Sequence, residues 1–137
     1  MGQTTNFYTM NYISPTEDQL NKFVQSTHQG PIVMLNLLKF KENADHGDMT
    51  GEEMYNQYAQ KTAPLIAEVG AKVIFMGKTL QTMIGPESKD WDKILIVEYP
   101  SRMAMLQMVQ TDLYKENAKD RAAALEDSRL IMNAAIG

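Results

Sequence analysis

Cysteine is absent from this 137-residue chain, which removes disulfides, thiolate metal sites and thiol nucleophiles together. A basic excess is absent too. Thirteen lysines and arginines stand against 17 acids, for a formal charge of −4, and that balance argues against a nucleic-acid partner, because phosphate binding needs clustered positive charge. No apolar run approaches the roughly 18 residues of a membrane span. The opening stretch MGQTTNFYTMNY lacks the basic start and apolar centre of a signal peptide. Met1-Gly2 would suit a myristoyl acceptor, but Asn6 stands where that motif uses Ser or Thr. No membrane association is expected, and the cytoplasm is the expected compartment. Histidine is scarce: His28 and His46 are the only two. His46 lies near Asp45 and Asp48 in NADHGD without a metal-ligand spacing, so a solvated loop is expected and no metal. G-x-S-x-G, H-E-x-x-H and a phosphate-binding glycine loop are all missing, which removes the usual hydrolase, zinc-protease and nucleotide signatures.

What is present describes one ordinary globular core. Hydrophobic residues make up 44% of the chain and charged residues 22%, a composition typical of a soluble domain. The expected organisation is a single unit over 1–137, with an N-terminal arm (1–13), an extra helix (14–29) and a core (31–137). Eleven methionines are many for this length, either as adaptable filler or as a deformable pocket wall. SPTE at 14–17 reads as a helix start, with Ser14 as N-cap, Pro15 in the first position and Glu17 closing a capping box. Leu20, Phe23, Val24 and Thr27 share one face and predict a helix packed on the body. PIVMLNLLKF then reads as a strand. Thr50 and Glu53 form a second capping box for a helix to Val69, which Pro64 should kink or divide and Gly70 should end. AKVIFMGKTLQTMI predicts a long strand with Gly77 as a bulge or bend, and KILIVEY another strand. Ser101 caps a helix through Val109, Thr111 or Asp112 caps the next, and DSRLIMNAAI closes the chain as a last strand. Without the first helix this is β-α-β-β-α-β, the ferredoxin-like order of the α+β class.

The strands are apolar on both faces. Ile32, Met34, Asn36, Leu38 and Phe40 point one way, and Val33, Leu35, Leu37 and Lys39 the other. An antiparallel sheet with helices on one side needs only one apolar face. A second copy of the sheet is the economical cover, giving a face-to-face homodimer with a cavity between the sheets. One of the two polar residues, Asn36 or Lys39, then faces the helices and the other the cavity.

The stretches YISPTEDQL, PIVMLNLLKF, YNQYAQKTAPLIAEVGAKV, IGPESKDWDKILIVEYPSR and AALEDSRLI, in this order over roughly 11–132, resemble the family called domain of unknown function 1330, within the dimeric α+β barrel superfamily. The resemblance implies a ferredoxin-like fold dimerised through its sheets. Superfamily relatives include monooxygenases, haem-handling enzymes, lactone isomerases and ligand-sensing domains, but the family has no established activity, so no catalytic role carries over. Gly70-Ala71 stands where the family pattern often has two glycines. The strand order of the fold puts the first strand beside the third and fourth, so Asn36, Lys39, Glu98 and Arg129 are expected to converge. They would form either a structural ion-pair network or a cluster that binds a carboxylate- or carbonyl-bearing small molecule, with Glu98 as a candidate base. Tyr55 and Tyr58, one turn apart, either pack in the core or orient a ligand. Trp91, the single tryptophan, either pins the hairpin connection or stacks on a planar ligand. Arg102, Arg121 and the Asp127-Ser128-Arg129 turn belong to family-like stretches, with Arg121 expected in solvent or at a cap. Nothing local supports haem ligation, and no cofactor is expected. The leading functional reading is a small-molecule-binding protein, monooxygenase- or isomerase-like, acting on an apolar substrate with a polar handle. The alternative is a non-catalytic ligand-binding or interaction homodimer.

Overall fold

The computed structural model describes residues 11–87 and 91–137. Along the chain run α1 (Glu17–Gln25), β1 (Ile32–Phe40), α2 (Gly51–Glu68), β2 (Lys72–Lys78), β3 (Lys93–Tyr99), α3 (Arg102–Val109), α4 (Asp112–Ala124) and β4 (Leu125–Asn133). The strands pair antiparallel in the order β2-β3-β1-β4. This is the ferredoxin-like arrangement, with the second helical position divided into α3 and α4 and α1 placed in front. No helix among the described residues is long and apolar enough to cross a membrane.

Burial alternates along β1. Ile32, Met34 and Leu38 are buried, whereas Val33, Leu35 and Leu37 are only partly covered. The buried side splits into two clusters. Ile32, Met34, Leu65, Val97, Tyr99 and Met108 form one, and Leu38, Met54, Tyr55, Tyr58, Ala124 and Leu125 the other. Asn36 lies between these clusters along β1, where its Nδ2 donates to Leu95 O at 3.2 Å, so its amide has a partner and costs little. Tyr114 packs against both clusters.

Several expectations shift by a few residues, each for a local reason. Helix α1 starts at Glu17: Thr16 is its N-cap and Gln19 closes the capping box, so Ser14 and Pro15 lie outside it. The sequence carries two overlapping boxes, SPTE and TEDQ, and the second is used. The helix ends at Gln25, and none of its residues is buried. Of its apolar face only Phe23 reaches the core, while Leu20 and Val24 stay exposed. Polar bonds hold it instead: Arg102 Nη1 donates to Phe23 O at 3.0 Å and Nε to His28 O at 3.1 Å. Helix α2 runs unbroken through Pro64. One turn before the proline, Lys61 O accepts a bond from Asn117 Nδ2 of α4 at 3.3 Å, so the neighbouring helix supports the backbone there. Strand β2 stops at Lys78, short of Ile84; the last bond to the β3 side is Thr79 N donating to Asp92 O at 3.2 Å, and no strand forms over residues 80–87. Its register shift falls between Val73 and Phe75, not at Gly77, where a side chain would strike the Phe75 ring.

Three segments meet at Gly51, the first residue of α2. Lys41 N donates to Ala124 O at 2.8 Å, Gly51 N to Lys41 O at 3.0 Å and Asp45 N to Ala123 O at 3.0 Å. A Cβ at Gly51 would overlap backbone atoms of both Lys41 and Ala124, the latter at 2.6 Å. Backbone cannot swing aside as a flexible side chain can, so Gly51→Ala is expected to cost about 3 kcal/mol, the upper end for overpacking, read by urea unfolding. The cap assignment is checked separately. Thr16→Ala should weaken α1 by about 0.5–2 kcal/mol while Ser14→Ala leaves it unchanged, as measured by hydrogen exchange of the α1 amides.

Candidate functional site

The half-covered side of the sheet is continuous across all four strands. Leu35 pairs with Ile96 on β3 and Ile131 on β4, Leu37 with Ile94 and Arg129, and Ile96 with Phe75 on β2. Directly paired residues share a face, so these side chains form one apolar surface opposite the buried clusters. Phe75 is 52% exposed and Ile131 46%. We call this the open face.

Polar groups gather at one end of it. Asp127 pairs with Lys39 in the register, and its Oδ1 accepts from Tyr12 N at 2.9 Å, Ser128 N at 2.9 Å and Arg129 Nη1 at 2.7 Å. Burial works to raise this carboxyl, but the Tyr12 N–H, the Arg129 guanidinium and the Ser128 N–H outweigh it and hold it below the usual carboxylate range. Arg129 Nη1 donates also to Ser128 O at 2.7 Å. Its guanidinium carbon lies 4.8 Å from the Tyr12 ring centroid and 5.2 Å from that of Trp91, in the range of cation–π attraction. The Nε and Nη2 donors of Arg129 make no hydrogen bond among the described residues. Trp91 is set in place by its neighbour Asp92, which accepts from Phe40 N at 2.8 Å.

Of the residues singled out by sequence, Trp91 and Arg129 come together here, and Lys39 joins this end of the face through its register pairing with Asp127. Glu98 does not. It pairs with Val33, six positions from Lys39 along β1, or about 20 Å at ~3.3 Å per residue. There it meets Lys72, at 3.6 Å. Asn36 faces the helices, so the expected convergence of Asn36, Lys39, Glu98 and Arg129 reduces to Lys39 with Arg129. Tyr55 and Tyr58 belong to the core. Their rings lie 5.3 Å apart in a series running from Phe40 to Tyr114, and the Tyr58 and Tyr114 hydroxyls are 3.0 Å apart. Burial pushes the Tyr55 phenol up to about 12, and burial with the Tyr114 neighbour pushes Tyr58 further up. Both are neutral and inert as bases at ordinary pH.

Tyr12 and Asp127 were not picked out as site residues. They are 115 positions apart, so no spacing could have linked them, although a carboxylate followed by Ser and Arg at the start of a strand was a local signal. Arg121, expected in solvent or at a cap, donates to Ile13 O at 2.6 Å and fastens the same N-terminal segment. His46 sits 3.3 Å from Asp120, whose other oxygen accepts from Lys61 at 2.9 Å and Gln57 at 3.2 Å. That cluster ties the loop before α2 to α4. Among the described residues no three acidic or histidine side chains are grouped to hold a metal ion.

Comparison with known proteins places this geometry. A protein of unknown function from Rhodopseudomonas palustris is 36% identical, with a TM-score of 0.90 over 93% of this chain and 99% of that one. A dimeric protein of unknown function with a ferredoxin-like fold from Bacteroides fragilis matches at 14% identity and TM-score 0.52, over 77% and 96% of the two chains. SnoaB, a cofactor-independent oxygenase from Streptomyces nogalater, matches at 14% identity and TM-score 0.51, over 80% and 96%. At these identities the last two show a shared fold and no more. No curated protein matches. Residues 44–135 match the family described as domain of unknown function (DUF1330), and with the relative from Rhodopseudomonas palustris this makes the chain a member of that family.

Proposed function

We propose that the protein is a homodimer that binds a small molecule between two open faces, with the ligand's body on the apolar strands and a carboxylate or carbonyl group at the Arg129 end. The observation that carries this reading is the Nε/Nη2 edge of Arg129, unbonded among the described residues, beside Tyr12 and Trp91 at the margin of an uncovered apolar surface. An arginine edge offers two parallel N–H donors that fit a carboxylate. Its other side is locked by Asp127 and Ser128 O, so this edge is pre-oriented. The dimer follows from the open face itself, since monomers rarely leave so wide an apolar surface in water. Fold likeness to SnoaB brings cofactor-independent oxygenation to mind, but such chemistry needs a base. On the open face Asp127 is held by Arg129 and Glu98 lies beside Lys72. Paired groups support binding over catalysis, and we take binding as the function.

A stable dimer should bury more than roughly 1,200 Å² in total. Light scattering is expected to give twice the chain mass, and Ile96→Glu, which puts a charge at the centre of the face, should give the monomer. Native mass spectrometry of protein as expressed should reveal retained ligand, and Arg129→Met should lose it while remaining dimeric. Ligand retention unchanged in that variant would remove Arg129 from the site.

The sign of the pH dependence follows from Asp127. Its folded carboxyl titrates below its unfolded value of about 3.9. The stability this contributes is complete above about pH 4 and is lost as pH falls through the lowered folded value. Asp127→Asn should therefore flatten the stability curve below about pH 4, and at neutral pH it should cost on the order of 1–3 kcal/mol, because the donors it served lose an ionised acceptor. Denaturant titrations from pH 2 to 7 check both.

A further inference from the structure

On the helix side of the sheet, away from the open face, an open cleft of about 650 Å³ lies between the end of β2 and the start of α2. Its size is that of an ordinary ligand pocket. The sheet wall carries Lys78 and Lys93, which pair directly in the β2–β3 register and so lie side by side. Like charges directly opposite each other repel, and neither lysine makes an ion pair among the described residues. Lys93 Nζ rests 5.7 Å from the Tyr55 ring centroid. Next to Lys78, Thr79 also lines the cleft, and its Oγ1 is buried without a hydrogen-bond partner among the described residues.

The facing wall has the opposite sign. Glu42 follows β1, Glu52 lies in the first turn of α2, and both line the cleft without an ion partner among the described residues. Of the other charged lining groups, Lys41 is neutralised by Asp45 at 2.6 Å and Asp92 accepts the Phe40 N–H. Phe40 and Met76 supply an apolar lining between the two walls. Two unneutralised lysines and two unneutralised glutamates thus face one cleft and do not reach each other.

We propose that this cleft is a second binding site, for a zwitterion whose carboxylate and ammonium are separated by an apolar spacer. The carboxylate lies between Lys78 and Lys93 with Thr79 as a further donor, the spacer covers Phe40 and Met76, and the ammonium meets Glu42 and Glu52. The lysines and the glutamates form no ion pair with each other across the cleft, and the class that would bridge them is the ω-amino acid or a similarly extended zwitterion.

The probe is 6-aminohexanoate, with hexanoate and hexylamine as its half-charged controls, titrated into the intact protein by calorimetry and by NMR of the methionine methyls. Binding of 6-aminohexanoate with a shift at Met76, at least tenfold tighter than either control, supports the site. The double variant Lys78→Met/Lys93→Met should weaken it at least tenfold, as should Glu52→Gln, while Arg129→Met on the open face leaves it unchanged. Equal binding of hexanoate or of hexylamine, no binding of the zwitterion, or unchanged affinity in the double variant would each overturn the proposal. A readout independent of any ligand is the thermal midpoint of Lys78→Met. It should rise as the opposed lysines are relieved, and an unchanged or lower midpoint counts against the repulsion on which the site depends.

Discussion

Strand β1 lies between β3 and β4, and its side chains are apolar on both faces apart from Asn36 and Lys39. A strand in that position must be covered twice. The helices cover one side, and the junction at Gly51 helps to bring them there, because the end of β1, the start of α2 and the end of α4 bond to one another through their backbones. Covering the second side requires something this chain does not supply from its helices. Each Å² of apolar surface left wet forgoes about 25 cal/mol, so the open face is a standing incentive to associate. Its continuity across four strands makes another sheet of the same shape a natural complement.

Two of the polar residues that interrupt this apolar design, Asn36 and Asp127, have partners. Asn36 sits at the seam between the two buried clusters and bonds across to β3. Asp127 collects two backbone N–H groups and one guanidinium, which explains how a carboxylate can sit at the start of a buried strand edge and remain ionised. In doing so it ties the segment around Tyr12 to β4. The same carboxylate therefore anchors the N-terminal segment and orients Arg129.

Periodicity and capping signals made much of this fold legible. The Thr50–Glu53 box, the Ser101 and Thr111 caps and the two-faced pattern of residues 32–40 are short-range features, and each is realised within a residue or two. The site was less legible because it depends on register. Strand order alone could place Lys39 near Glu98, but the pairing of Val33 with Glu98 sends them to opposite ends of the sheet. A one-residue difference in register or a bulge, such as that after Val73, cannot be read from composition. Tyr12 escaped for a related reason: its contact with Asp127 is made by folding, not by neighbourhood. Tyr55 and Tyr58 had helical spacing that fits the core and also a pocket, and burial decides for the core.

Trp91 gives the polar end of the open face a property of its own. It is the single indole in the chain, it stands 5.2 Å from a guanidinium, and the residue after it is bonded to β1 at both Leu38 O and Phe40 N. The six tyrosines absorb at shorter wavelength, so excitation at the red edge of the spectrum selects this one ring. Its emission responds to the polarity and charge around it, the Arg129 guanidinium included. The protein therefore carries an intrinsic optical reporter at the place where the open face meets its charged margin, readable without a label.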